Sequence, residues 1–314
     1  MAFDQDGPRP LILDLYEDND TDDRFCKSLM RHLVEGSRAP SQVAKDLDAW
    51  VVQESSRRLH ELTSQPDLLE KHDDGYVPRR SMPNASGYVE TFFQSFPSLC
   101  SVFPPYHAGQ TRIIQFVEAL MAMPEHQAPD YLVNGSLSDV HMISLWADSG
   151  YRTEQFRIGA DAIRYPGSDL EKPGTESEAR WRNYQSTMAR ITMTGFSDCG
   201  FISALRDILP EGKKYPSLKV RTTSKPEKIG GHILGAAQWL IWPDEVRYVY
   251  RQCKKKERVE KNNPRDTWSM ERWGIWKAQF QLFAENERVD SRAREVAAIA
   301  VDKMRAAEEQ DESQ

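Results

Sequence analysis

The sequence lacks the short motifs that mark most familiar catalytic and nucleotide-binding sites. It contains no GxGxxG after a strand pattern, no GxxxxGK[ST], no GxSxG and no HExxH. Its seven histidines never stand three or four residues apart, which argues against a three-histidine metal site. These absences argue against the common hydrolases, metalloproteases and nucleotide-dependent enzymes.

Cysteine and long apolar runs are also scarce. The four cysteines include no CxxC pair, so zinc-knuckle and thioredoxin motifs are excluded and a reducing compartment is expected. The first residues, MAFDQDGPRP, do not have the pattern of a secretory signal. The longest apolar stretch, 233–242, is about half a membrane span. We therefore expect a cytoplasmic protein with no membrane insertion.

Acidic residues outnumber basic ones. The chain of 314 residues has 48 Asp and Glu against 41 Lys and Arg, a net charge of −7, which argues against nucleic acid or an anionic membrane as a partner. Eight Trp, eleven Tyr and twelve Phe indicate a folded core that is rich in aromatic side chains.

Helical periodicity dominates the chain, and alternating strand patterns are nearly absent. We expect an all-α fold with about ten helices around one elongated core. A helix should begin after Asp20 or Thr21 and end at Gly36, and Ser41 can cap a second helix. Further helices are predicted near 88–96 and at 109–123, 136–147, 151–163, 177–194, 198–209, 227–242, 244–256, 267–286 and 289–308.

These elements predict four segments within one integrated globular unit. Residues 1–63 should form a helical hairpin, and 64–108 a proline-rich, mostly irregular connection. Residues 109–308 should form the main helical domain, and 309–314 a charged tail.

Helix 267–286 carries a strong core stripe: Trp273, Trp276, Phe280 and Phe283 follow one another at spacings of three, four and three. Lys277 lies on the shoulder of this stripe, over Trp273. Two roles are open for this lysine. Its stem covers the aromatic edge while its ammonium stays in water, or it is a cation at the rim of an aromatic cavity that binds an anion such as a diphosphate.

Helix 177–194 has two contrasting faces. Its core face includes Trp181 and Tyr184, and its polar stripe comprises Glu176, Asn183, Thr187, Arg190 and Thr194. The stripe is either a solvated face or the mixture of groups that a Mg²⁺–phosphate site uses. Asp198 follows at the next turn, where capping the next helix is its favoured role.

Helix 227–242 is apolar nearly all round and should be central. Its small residues beside Trp239 and Trp242 leave room for a pocket, although close helix packing explains them equally well.

Five stretches carry a family resemblance over roughly residues 106–304. They are PYHAGQTRIIQFVEALMAMP (105–124), RWRNYQSTMARIT (180–192), GFISALRDILPE (200–211), ILGAAQWLIW (233–242) and SMERWGIWKAQF (269–280). Their order resembles a fungal family of unknown function. It is also similar to the unconventional fungal terpene cyclases of the humulene-synthase type, which lack the usual aspartate-rich motif, bind farnesyl diphosphate with Mg²⁺ and use a helix lysine near the C-terminus.

This resemblance implies a Mg²⁺-dependent sesquiterpene cyclase of fungal secondary metabolism, and Lys277 is the position that matches the family's lysine. Arg190 and Arg206 are candidates to hold the diphosphate with it. The candidate cavity residues are Trp181, Tyr184, Trp239, Trp242, Trp273 and Trp276, whose rings would stabilise a carbocation. Asn183, Glu176 and Asp198 are chosen as metal ligands from helix geometry alone.

Two alternatives stay open. A metal-free cyclase, such as a pericyclase, needs an aromatic pocket but no diphosphate ligands and is insensitive to chelators. A non-catalytic helical protein that binds a metabolite or another protein needs no enclosed pocket.

Overall fold

A computed structural model describes residues 10–13, 21–146, 173–210, 226–263 and 265–312. In these ranges the chain forms nine α-helices and one two-stranded sheet, so the prediction of a mostly all-α fold is confirmed. The helices are α1 Thr21–Glu35, α2 Pro40–Ser64, α3 Ala85–Cys100, α4 Ala108–Met121, α5 Glu176–Thr194, α6 Pro226–Ala237, α7 Pro243–Cys253, α8 Met270–Glu285 and α9 Ser291–Glu312. The predicted helix 151–163 lies outside the described residues.

The described residues belong to two compact units. The N-terminal unit comprises 21–97 and 111–146, and the C-terminal unit comprises 10–13, 98–110 and the described residues from 173 onward.

In the N-terminal unit, helices α1 and α2 form as the apolar spacing predicts, but Ser41 does not cap α2, which begins at Pro40 after Ala39. Leu29 and Leu33 of α1 are fully buried, and Phe25 stacks on Trp50 of α2 with ring centroids 4.8 Å apart. Helix α1 ends where expected, because Gly36 adopts a left-handed φ of 73°.

Helix α3 corrects the expectation for the proline-rich connection. A short helix near 88–96 was predicted, but the helix spans Ala85–Cys100 with Pro97 inside it. Its three buried phenylalanines, Phe92, Phe93 and Phe96, contact one another, and Phe92 also contacts Phe116 of α4 at 5.4 Å. Burial of these aromatic rings stabilises a helix that is longer than the one predicted for this proline-rich segment.

The predicted helix 136–147 is wrong, because the segment forms a β-hairpin. Strand β1, His126–Leu132, pairs antiparallel with β2, Val140–Leu145. Asn134 and Gly135 between the strands both have positive φ. An Asn-Gly dipeptide is a strong signal for a hairpin, and the prediction of a helix at 136–147 did not take it into account. The pairing is irregular between Pro129 and Tyr131, where proline has no N–H to donate.

The C-terminal unit holds α5 to α9, and its helices begin and end at conventional signals. Thr175 caps α5 by accepting from the Glu178 N–H, and Gly195 ends it at φ 81°. Ser269 caps α8 in the same way by accepting from the Arg272 N–H. Helix α9 packs against α6, α7 and α8.

Three predicted bounds in this unit need correction. Residues 198–209 are not a helix but contain two 3₁₀ turns, Gly200–Ile202 and Ala204–Arg206, because the Asp198 and Ser203 side chains bind nearby backbone N–H groups instead. Helix 227–242 ends already at Ala237. Helix 289–308 continues to Glu312, so most of the predicted charged tail is helical.

Candidate functional site

Lys277 of α8 is paired with Glu308 of α9. Its Nζ lies 2.7 and 2.8 Å from the two carboxylate oxygens of Glu308, and its side chain is 34 % exposed. Trp273, one turn earlier on α8 and buried, donates its Nε1–H to the same carboxylate at 2.7 Å. Glu308 therefore fixes the lysine and the tryptophan together.

A groove of about 410 Å³ includes Tyr250, which contacts Trp273. It is lined by Met193 of α5, by Asp244, Arg247, Tyr250 and Arg251 of α7, and by Ala307, Gln310 and Asp311 of α9. The Tyr250 ring lies 4.9 Å from the Trp273 ring, and Ala307 directly precedes Glu308. We call this feature the α7–α9 groove. Its lining includes two guanidinium groups and two carboxylates.

A second polar arrangement, the Tyr106 cluster, consists of Tyr106, Gln110, Arg190, Trp242 and Glu245. The Tyr106 hydroxyl lies 2.8 Å from both carboxylate oxygens of Glu245, to which it donates. Gln110 Oε1 accepts from the Tyr106 N–H and from Arg190 Nη1, both at 2.8 Å. The Arg190 guanidinium lies 4.7 Å from the Tyr106 ring centroid, and the Trp242 ring also lies 4.7 Å from it.

Burial controls the electrostatics of this cluster. Glu245 is only 1 % exposed, and loss of hydration raises the pKa of its carboxyl group, although the Tyr106 hydrogen bond and the charge of Arg190 act in the opposite direction. Burial and the nearby Glu245 charge likewise raise the pKa of the Tyr106 phenol. The cluster thus holds a carboxyl group whose charged form is disfavoured, next to a phenol that stays protonated.

The polar stripe of α5 is mostly not solvated. Asn183 and Thr187 are buried, and they donate to the backbone carbonyls of Ser101 (3.1 Å) and Cys100 (2.9 Å). Among the described residues, Asn183 Oδ1 has no hydrogen-bond partner. The stripe therefore anchors the connection between α3 and α4, and only its first member, Glu176, with a side chain 62 % exposed, matches the solvated interpretation.

The residues chosen as metal ligands do not meet. Glu176 begins α5 and pairs with Arg180 at 2.7 Å, whereas Asp198 lies beyond the other end of this 19-residue helix. A helix of that length measures about 28 Å, while Mg²⁺ binds oxygen at about 2.1 Å. Glu176, Asn183 and Asp198 therefore do not fit one Mg²⁺ ion. Within the ranges that the structure describes, no group of three or more His, Cys, Asp and Glu side chains is arranged to hold a metal.

Asp198 does not cap a helix as predicted, because 198–209 forms no α-helix and Cys199 is the N-cap of the first 3₁₀ turn. Asp198 accepts from the Gly200 N–H at 2.9 Å, where the first 3₁₀ turn begins, and from Trp268 Nε1 at 3.1 Å. Arg206 is also engaged locally, since its Nη1 donates to the Phe201 carbonyl at 2.5 Å. The contacts of Arg206 with the described residues therefore include neither Lys277 nor Arg190.

The predicted cavity residues fall into two groups. Trp239 and Trp276 are buried and both contact Trp268, with ring centroids 5.7 and 6.1 Å from it, and Trp181 and Tyr184 are also buried. These four form part of the aromatic core of the C-terminal unit. Trp273 and Trp242, by contrast, contact the Lys277–Glu308 pair and the Tyr106 cluster respectively.

Sequence reasoning missed Tyr106, Gln110, Glu245 and Glu308. Tyr106 and Gln110 lie within the quoted stretch PYHAGQ, but Glu245 stands 139 residues after Tyr106 and resembles any acidic residue in a first helical turn. Only the tertiary contacts distinguish these residues from their neighbours.

The fold and these clusters define a mostly α-helical protein with polar groups gathered on α5, α7, α8 and α9. The chain belongs to the family described as "Protein of unknown function (DUF3632)", which matches residues 94–280. That match includes the whole Tyr106 cluster and Lys277, whereas Glu308 lies after it. Neither the curated proteins nor the solved structures include a match to this chain. No helix in the described ranges has the length and apolar character needed to cross a membrane.

Proposed function

We propose that the protein is a sesquiterpene cyclase that acts on farnesyl diphosphate and requires Mg²⁺. The likeness of SMERWGIWKAQF (269–280) to the humulene-synthase-type cyclases supports this activity. The observation that carries it is the placement of Lys277: its ammonium is held by Glu308 and stays one-third exposed. Trp273, bound to the same carboxylate, contacts Tyr250 of the α7–α9 groove, which holds two further cations.

The proposed chemistry begins with ionisation of the allylic diphosphate. The C–O bond breaks and the diphosphate leaves with the electron pair, so that cationic side chains stabilise the leaving group. Lys277, with three N–H donors, can bind an anion while it remains paired with Glu308. Arg247 and Arg251 offer guanidinium groups in the same groove. Aromatic faces such as Trp273 would stabilise the carbocation by about 0.5–2 kcal/mol each.

Mg²⁺ stays a prediction from the resemblance, because the three chosen ligands do not fit one ion. When bound, Mg²⁺ would neutralise charge on the diphosphate oxygens, which commonly supply several of its ligands. No residue of this chain is assigned to it.

The test is incubation of the purified protein with farnesyl diphosphate, in Mg²⁺ and in EDTA, followed by gas chromatography–mass spectrometry. The proposal expects a hydrocarbon product in Mg²⁺ and none in EDTA. Lys277→Ala should abolish turnover with an unchanged circular dichroism spectrum, whereas Lys45→Ala, which removes an exposed helix lysine, should leave turnover unchanged. Absence of product from farnesyl, geranyl and geranylgeranyl diphosphates would contradict the proposal.

A metal-free cyclase is the second candidate, and the Tyr106 cluster favours it. A buried carboxyl group with a raised pKa suits proton transfer without a metal. Product formation that persists in EDTA would support this candidate. A non-catalytic binding protein is the third possibility, and it predicts that Lys277→Ala changes ligand affinity in a protein without turnover.

A further inference from the structure

We infer that Glu245 is the base that accepts the proton which ends the cyclisation, and that Tyr106 covers this base between turnovers. The inference rests on the proposed cyclase activity and adds to it a residue that the resemblance does not supply.

The first argument is the position of the carboxylate. Glu245 is 1 % exposed and stands in the first turn of α7, directly after the Trp242–Pro243 corner. The Trp242 ring, which is only partly buried, lies against Tyr106. A carboxylate bound to Tyr106, whose ring packs against Trp242, suits an apolar carbocation, because the rings attract the cation and the carboxylate can remove its proton.

The second argument is the way in which Tyr106 closes the site. Its hydroxyl spans both oxygens of Glu245 at 2.8 Å, yet the residue as a whole is 43 % exposed. Its φ of 62° lies in the left-handed region, which is uncommon for a bulky residue. Gln110 holds this conformation by accepting from the Tyr106 N–H at 2.8 Å. Backbone strain of this kind concentrates at functional sites, and rotation of Tyr106 out of the left-handed region would relieve it.

The third argument is the balance of charges around the carboxylate. Arg190 and the Tyr106 hydrogen bond lower the pKa of Glu245, while burial and the neighbouring Asp244 raise it. Burial is the largest of these effects and the net direction is upward, so the carboxyl group favours the protonated form once it has accepted a proton.

The step balances without a further reactant. A C–H bond next to the carbocation breaks, its electron pair forms the C=C bond of the hydrocarbon, and the proton goes to a Glu245 carboxylate oxygen. Tyr106 is rotated away during this step, because its hydroxyl otherwise donates to both Glu245 oxygens. Water then takes the proton from Glu245 before Tyr106 covers it again.

The experiment measures diphosphate release and product profile in parallel for Glu245→Gln and for Glu287→Gln, the same change on an exposed loop. The inference expects Glu245→Gln to release diphosphate near the wild-type rate. Formation of the wild-type hydrocarbon should fall by about 10²-fold or more, and alcohols from water capture or other double-bond isomers should replace it. Glu287→Gln should match the wild type in both measurements.

Two outcomes separate this inference from the proposed function. A wild-type protein that releases no diphosphate overturns both. Normal diphosphate release with an identical hydrocarbon profile in Glu245→Gln overturns the role of Glu245 alone.

Tyr106→Phe supplies a second test that does not depend on the folding of Glu245→Gln. Loss of the hydroxyl removes a contact that lowers the pKa of Glu245, so the acidic limb of the pH–rate profile for hydrocarbon formation should move to higher pH. An unmoved profile in this variant, with its tyrosine control Tyr76→Phe also unmoved, would contradict the coupling of Tyr106 to Glu245.

Discussion

The contributions of Glu308 and Lys277 to stability can be measured separately, because the Glu308 carboxylate accepts hydrogen bonds from the buried Trp273 and from the partly exposed Lys277. Trp273 Nε1–H is bound to Glu308 at 2.7 Å, and Trp273 is 2 % exposed. The Lys277 side chain is 34 % exposed and the Glu308 side chain 26 %. Water can therefore hydrate the lysine when its partner is removed, but it cannot reach the indole.

The magnitudes follow from this difference in burial. Glu308→Ala leaves the indole N–H without an acceptor, which costs about 1–3 kcal/mol. Lys277→Ala removes only a partly exposed ion pair, which is worth about 0–1 kcal/mol. Glu308→Gln loses the charge but keeps an oxygen for Trp273, so its cost should be close to that of Lys277→Ala.

The assay is urea unfolding of the three variants and the wild type, followed by circular dichroism and tryptophan fluorescence. We expect Glu308→Ala to lower the free energy of unfolding by about 1–2 kcal/mol more than either of the other variants. Equal losses in Lys277→Ala and Glu308→Ala would refute the reasoning and would make Lys277 a structural residue. A stable Lys277→Ala protein without turnover would assign the lysine to the reaction.

Three further predictions test other features of the structure. Burial raises the pKa of Glu245 in the folded state, so the contribution of Glu245 to stability is complete below the pKa of a glutamate in the unfolded chain and declines as pH rises through the folded pKa. The difference in unfolding free energy between wild type and Glu245→Gln should therefore shift against the wild type from pH 4 to 8. A difference that stays constant with pH would contradict this. Gly235→Ala should destabilise the protein by about 1–3 kcal/mol in thermal unfolding, because the new Cβ would lie 2.3 Å from Trp181 Nε1. Gly274→Ala should stabilise it by up to about 1 kcal/mol, because no atom lies within 4 Å of the new Cβ. Equal effects of the two substitutions would refute the packing argument. The four cysteines are buried, and burial raises the thiol pKa of three of them. They should therefore not react with a disulfide reagent at pH 8 until urea unfolds the protein. Rapid labelling of the native chain would contradict this prediction.

The helices of the C-terminal unit could be predicted well from the sequence. The predicted helix 177–194 corresponds to Glu176–Thr194, and 267–286 corresponds to Met270–Glu285. Apolar stripes at helical spacing coincide there with capping residues, so local preference and packing favour the same structure. Prediction failed where other local signals compete with helical periodicity, as with the Asn-Gly dipeptide in the hairpin and the side-chain hydrogen bonds at 198–209.

The candidate site was only partly predictable. Spacing alone placed Lys277 over Trp273, since residues four apart share a helix face, and the structure joins both to one carboxylate. Helix length could also have excluded Glu176 and Asp198 as ligands of one metal ion, because the whole 19-residue helix lies between them.

The sequence by itself determined the helical character of the protein, the aromatic stripe that α8 buries and the placement of Lys277 and Trp273 on one face. These properties depend on intervals of three and four residues along one helix. Only the tertiary structure decided that Glu308 receives both side chains and that Tyr106 covers Glu245, 139 residues away. Contacts between distant segments depend on how helices pack against one another, and no local spacing encodes that arrangement.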